Sequence, residues 1–408
     1  MTELTICAVG DVRVDHAKAG RPDPEAAFAL CADVFQAADI NFFNCEGVYT
    51  EREITVPSQH GASSAPPENF RAMAWAGFNV CSLANNHGYD RGAEGLLDTI
   101  EVARSHDVLV SGAGRNIEEA RRPAIIERNG TKVAFLSYNC VGPVEFAAQH
   151  DRPGDAPMRV STAYQPIEYQ PGTPCKILTF ADRDDLAALR RDIASAREQA
   201  DLVVTHFHWG MHHVQAMVHM YQQEIAYAAI DEGVDLVLGE HDHVVKGIEI
   251  YKGKAIFYGL GDFMVDNNRL GKSPNTAWRQ MKQQLYDLRY DEEYPTYPFA
   301  GEARHHLIVK VLVQDGRITR VSYLPCTINK AGQPFPLKAD DPRFHEVAGY
   351  FDAISRNQGF NVRLTAEGDE ILVEDGGTAS TPIGAFYTKF ITAPIELPEP
   401  ALPSGRAG

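Results

Sequence analysis

Cysteine is scarce and unpatterned in this chain. Seven occur in 408 residues, an odd number, and no two stand in a C-x-x-C spacing. That excludes a disulfide framework and a zinc ribbon. Cys7, Cys31, Cys45, Cys81, Cys140, Cys175 and Cys326 mostly fall in apolar runs, where a free thiol acts as a small hydrophobe. Long apolar runs are missing too, so no membrane-spanning helix is expected. The opening MTELTICAVGD lacks the basic-then-apolar order of a secretory signal. Together these absences give the expectation of a reduced, cytoplasmic protein. Positive charge is in deficit: 38 Lys and Arg face 55 Asp and Glu, a formal net charge of −17, with no basic run. An acidic chain repels phosphate backbones and anionic bilayers, so neither nucleic acid nor membrane is an expected partner.

What is present is ordinary for a folded chain: 44% hydrophobic and 23% charged residues. Residues 4–9, 40–45, 78–83, 108–111, 202–207 and 235–238 read as buried strands. Residues 23–38, 67–76, 90–106, 184–199 and 222–232 read as helices. Hairpins are expected at 123–138, turning at Asn129-Gly130, at 246–259, turning at Lys252-Gly253, and at 306–325, turning at Asp315-Gly316. Alternation early and hairpins later predict an α/β fold with mixed sheets and outer helices. Residues 141–175 and 266–302 read as insertions into a unit spanning 1–330. Residues 331–408 read as a C-terminal extension with a Pro-rich tail.

The polar residues fall where the strands end. The first strand ends at Gly10-Asp11, the second at Asn44-Cys45-Glu46 and the third at Asn85-Asn86-His87. Later strands end at His206-Phe207-His208, at Glu240-His241-Asp242-His243 and at Gly261-Asp262. In open α/β sheets ligands bind beyond the carboxyl ends of strands. Carboxylates, amides and imidazoles are the donors that hold divalent ions, here Mn, Zn, Fe, Ca or Mg. Two ions about 3.5–4 Å apart can grip one oxyanion.

GD at 10–11, NCE at 44–46, SLANNHGYDRGAEGLLDTI at 82–100, GAGRN at 112–116, HWG at 208–210 and the run from 228 to 263 resemble the CapA/PgsA-type capsule-biosynthesis family. That family is similar to calcineurin-like metallophosphoesterases. The resemblance implies a four-layer α/β/β/α sandwich with two divalent-metal sites. Carried over by position, Asp11 and His243 hold the first ion and Glu46 bridges both. Asn86, His208 and His241 hold the second, and His87 is the acid/base. Position 13 carries Arg13 where that superfamily begins D-x-H, and GEHDH stands where the capsule family reads GHHPH.

Around this set, His206 and Asp262 are candidates for orienting the ligands. Arg13 is a candidate partner for a substrate carboxylate. The His-rich segment of His212, His213 and His219 reads as a solvated loop, with His212 as the candidate second base. Trp278 belongs to an aromatic segment, 278–299, read as a lid over substrate. Soluble relatives of the capsule family include epimerases that invert the C-terminal residue of ribosomal peptide precursors such as lasso peptides, and the chain resembles these. The expected function is therefore a metal-dependent peptide epimerase, with His87, Asp11 and His212 as its catalytic residues and a peptide as substrate. A phosphoesterase, a poly-γ-glutamate or capsule biosynthesis component and a non-catalytic metal-binding module are the alternatives. A homo-oligomer is open.

Overall fold

The computed structural model describes residues 2–14, 23–54, 56, 64–266, 291, 293, 294, 297, 299 and 301–387. Two sheets pack face to face. The first runs, in spatial order, Val362–Glu367, Glu370–Asp375, Arg317–Ile328, His306–Gln314, Glu3–Val14, Ile40–Cys45, Val80–Ser82 and Leu109–Ser111. Asp262–Asp266 and Pro334–Pro336 pair alongside it. The second runs Ile248–Tyr251, Lys254–Phe257, Leu236–Glu240, Leu202–His208, Thr131–Asn139 and Ala124–Arg128.

Strand periodicity sorts the side chains into layers. Leu4, Ile6, Ala8 and Phe42 point inward, against Val133, Phe135, Val204 and Leu238 of the opposite sheet. Phe42 and Phe135 stack across the gap, with ring centroids 5.3 Å apart. The intervening residues Cys7, Val9, Phe43 and Cys81 point outward onto Phe28, Phe35, Met73, Leu96 and Ile100. Behind the second sheet, Ala134, Val203 and Val237 meet Leu189, Ile193, Ile225 and Ala229 of the helices Arg183–Arg197 and Met220–Glu232. This is the four-layer α/β/β/α sandwich of the metallophosphoesterase-like type. Strands buried on both faces read as unbroken apolar runs, which is why they were visible in the sequence.

The three expected hairpins form. Both central residues of each have positive φ: Asn129 and Gly130 (50° and 73°), Lys252 and Gly253 (49° and 74°), Asp315 and Gly316 (48° and 73°). That is the turn whose twist matches the flanking strands.

Some boundaries differ from expectation. The stretch 23–38 is a 3-10 turn, Pro24–Phe28, and a separate short helix, Ala32–Gln36. The first strand does not stop at Asp11 but continues to Val14. Its neighbour changes on the way: Glu3 to Ala8 pair with His306–Gln314, and Asp11 to Val14 with Asp262–Asp266. Asp262 therefore opens a strand instead of closing one, in register with Asp11. Beyond residue 330, the helix Pro342–Asn357 sends Phe344, Val347, Phe351 and Ile354 into the core between the sheets. The insertion at 141–175 contributes Val160–Pro166, the edge of a small sheet with Cys175–Ala181 and Phe386–Tyr387.

One buried carboxylate lies away from the strand-end cluster. Asp155 is 5% exposed and accepts the Asn139 amide at 2.6 Å. Burial pushes its carboxyl up to about 8. An acid raised in the folded state loses stability as pH climbs from its unfolded value, about 4, towards that folded value. Asp155→Asn should therefore raise Tm more at pH 9 than at pH 5 in calorimetry. Equal shifts at both would refute the assignment.

Candidate metal centre

The parallel strands of both sheets deliver their carboxyl ends to one rim. There, Asp11, Glu46, His243 and Asp262 form one group whose ligand atoms all lie within 4.8 Å of one another. Glu46, His208 and His241 form a second on the same criterion. Glu46 belongs to both, as a bridging carboxylate must. In the first group His243 Nδ1 lies 2.8 Å from Asp262 Oδ1 and 3.8 Å from Asp11 Oδ2. In the second, His208 Nε2 lies 3.1 Å from His241 Nδ1, 2.7 Å from Asn86 Oδ1 and 3.8 Å from Glu46 Oε1.

The residues fit a cation. Asp11 Oδ2, Glu46 Oε1 and Asp262 Oδ2 are buried with no hydrogen-bond partner among the described residues. Buried carboxylate oxygens without a donor are costly unless a positive charge meets them. Burial first, then the Glu240, Glu46 and Asp262 carboxylates, hold the Asp11 carboxyl well above its ordinary range. Burial raises Asp262 to about 6. A divalent ion inverts this tendency and favours the carboxylate forms. Burial, followed by neighbouring imidazoles, holds His208 and His241 well below the usual histidine range. Neutral imidazole is the form that ligates.

The backbone is bent to make this possible. His241 and His243 have φ of 100° and 55°, values that residues with a side chain seldom adopt. At Gly10 a Cβ would sit 2.3 Å from Glu240 Oε2 and 2.0 Å from the Gly261 carbonyl, so only glycine lets the sheets close here.

Several residues were not picked out from the sequence. Asn44 donates to Asp11 Oδ1 at 2.6 Å and lies 3.2 Å from His208 Nδ1, leaving Nε2 to face Glu46, Asn86 and His241. Asn85 in turn donates to Asn44 Oδ1 at 3.2 Å and to the Cys45 carbonyl at 2.9 Å. Glu240 is fully buried, and burial with the Asp262 and Asp242 charges raises its carboxyl well above the ordinary range. Asp90, also fully buried, lies 3.0 Å from His87 Nδ1. Asn44, Asn85 and Glu240 open strand-end motifs whose later residues were chosen instead, and Asp90 stands three residues after His87.

His87 is only partly buried, its side chain 23% accessible. Burial alone lowers its pKa, but the Asp90 and Glu46 carboxylates outweigh burial and raise it. Arg13 is buried two residues beyond Asp11 on the same strand, and its charge bears on His87. His206 faces the core, its ring 5.3 Å from Phe42 and neither nitrogen hydrogen-bonded among the described residues. Asp262, expected to orient a histidine, itself joins the first ligand group. The His-rich segment is no solvated loop: the His212 ring lies 3.9 Å from His241 and 4.8 Å from His243. Trp278 lies outside the described residues. Of the aromatic segment, Phe299 stacks on His243 at 4.8 Å.

Comparison with known proteins gives the family. The family described as "Bacterial capsule synthesis protein PGA_cap" matches residues 5–267. The chain belongs to this family. The capsule biosynthesis protein CapA of Bacillus anthracis is 31% identical over 207 residues, 50% of this chain and 44% of that one. The PGA biosynthesis protein CapA of Bacillus subtilis (strain 168) is 27% identical over 244 residues, 59% and 57% of the two chains. A probable polyglutamine synthesis accessory protein of Mycobacterium tuberculosis is 29% identical over 247 residues, 58% of each. The chain thus spans about half the length of the curated relatives it matches. Among the described residues, no helix of this PGA_cap member is long and apolar enough to cross a membrane.

Metal content tests the centre. Protein reconstituted with Mn or Zn should carry about two ions per chain by plasma mass spectrometry. Glu46→Gln should lower occupancy of both, whereas His243→Ala and His208→Ala should each spare one. Equal losses in all three variants would remove Glu46 from its shared position.

Proposed function

We propose that this chain is a divalent-metal-dependent enzyme of capsule or poly-γ-glutamate-type biosynthesis, acting at an acyl or phosphoryl group of a glutamyl substrate. The names of its relatives support this setting better than the ribosomal-peptide epimerase expected from the sequence. The observation that carries the reading is the His87–Asp90 pair beside Asn86 and Glu46, at the accessible edge of two ligand groups. Divalent ions held by Asp11, Glu46, His208, His241, His243 and Asp262 would supply Lewis-acid polarisation of a substrate oxygen. Asp90 fixes the orientation of His87, and His87 in its protonated form delivers the proton to the leaving group. The acidic surface repels a long polyglutamate chain, so the chain's end or a short oligomer is the favoured substrate.

One observation favours proton transfer at carbon as a second reading. His212 reaches the centre on a different segment from His87, beside His241. Two imidazoles on separate segments could remove and return a proton with inversion.

Incubation with γ-glutamyl oligomers, p-nitrophenyl phosphate and candidate precursor peptides in deuterated water separates the two. Cleavage or transfer without deuterium at Cα supports the first reading. A one-dalton gain without cleavage replaces it with the second. His87→Asn should lower the rate by about 10²–10⁴-fold. Because His87 acts as an acid with a raised pKa, wild-type activity should fall as pH rises through that value. The same alkaline limb should vanish in His87→Asn, and its persistence there would remove His87 from the role.

A further inference from the structure

Residues 210–219 form no strand and no regular helix, yet Val214 and Val218 are buried and His213 is 9% exposed. This segment brings His212 and His213 onto the ligand imidazoles: the His212 and His243 rings lie within 7° of parallel, and the His213 and His243 centroids 5.2 Å apart. A segment without regular hydrogen bonding needs something else to fix it.

Asp242 and Lys246 supply it. Both side chains are fully buried and lie 3.6 Å apart. The Met211 N–H donates to Asp242 Oδ1 at 2.6 Å, and the His213 N–H donates to the Asp242 carbonyl at 2.8 Å. The Lys246 ammonium donates to the Val214 carbonyl. Three backbone groups of the segment are thus held by the same short stretch that carries His241 and His243. Gly210 completes the fit: its φ is 89°, and a Cβ there would sit 2.3 Å from Asp242 Oδ1. A buried ion pair is a poor source of net stability, because dehydrating both charges offsets their attraction. Its contribution here is geometric.

We infer that the Asp242–Lys246 pair is a clasp that positions His212 and His213 against the metal-ligand imidazoles. Both are positioning residues and touch no substrate. The clasp stands on geometry alone, while the use of His212 in proton transfer rests on the function proposed above.

The test compares the wild-type chain with Asp242→Leu/Lys246→Met, both after chelation so that no ion masks an imidazole. Diethyl pyrocarbonate modification, mapped by peptide mass spectrometry, should be severalfold faster at His212 and His213 in the double variant and unchanged at His87. Its Tm should stay close to wild type, whereas Lys246→Met alone, which strands the Asp242 charge, should melt well below. A merely structural pair would shift Tm or all three histidines together. Unchanged rates at His212 and His213 would overturn the clasp. Should the double variant not fold, hydrogen exchange on wild type decides. The Met211 amide, whose acceptor is the Asp242 carboxylate, should exchange as slowly as sheet amides, and exchange as fast as that of the exposed turn at 167–173 would overturn the clasp. Metal analysis separates the two layers. Wild type that binds no divalent ion, with His212 and His213 still freed in the variant, removes the metal reading and leaves the clasp.

Discussion

Negative charge confined between two apolar sheets governs this structure. Asp11, Glu46, Glu240 and Asp262 are each no more than 3% exposed, and they come from four different strands or strand ends. No fold gathers four carboxyl groups in a dry space for stability, since their mutual repulsion and dehydration both oppose it. The arrangement makes sense as a receptacle for cations. Other features serve it: the amide chain from Asn85 through Asn44, the positive φ at His241 and His243, and the absence of a side chain at Gly10.

The sandwich supplies the rigidity such a receptacle requires. Below the rim the sheets are locked by Phe42 on Phe135 and by the aliphatic layers around them. Above it, irregular segments carry the more accessible groups, His87 and His212. Chemistry placed on loops over a packed scaffold is the usual division of labour in α/β enzymes. The two ligand groups also differ in character. The first is mostly carboxylate with one imidazole, and the second mostly imidazole with the Asn86 amide close by. Harder ions suit the first, and borderline ions suit the second.

Much of this was legible in the sequence. Buried parallel strands announce themselves as apolar runs, and polar residues at their ends mark the rim, so Asp11, Glu46, His208, His241 and His243 could be named in advance. Less local features could not. Asp262 looked like the end of one strand, because nothing near it shows that it pairs with Asp11, some 250 residues away. His212 looked solvated because the clasp that docks it, Asp242 with Lys246, sits on another strand end. His206 shares a strand face with His208, and only its depth, against Phe42, separates a core imidazole from a ligand. Reaction type lies further still from the residue pattern, since the same donors serve acyl, phosphoryl and proton transfer.

The change of neighbour along the first strand has one more consequence. Residues 3–8 are paired on that edge by His306–Gln314, and the core they face is closed by the helix Pro342–Asn357. Both lie beyond the stretch, 5–267, that matches the capsule family. The region that defines the family is therefore packed against a strand and a helix that follow it in the chain. Cut there, the chain would lose the strand that flanks residues 3–8 and the apolar face of the helix that packs on their core.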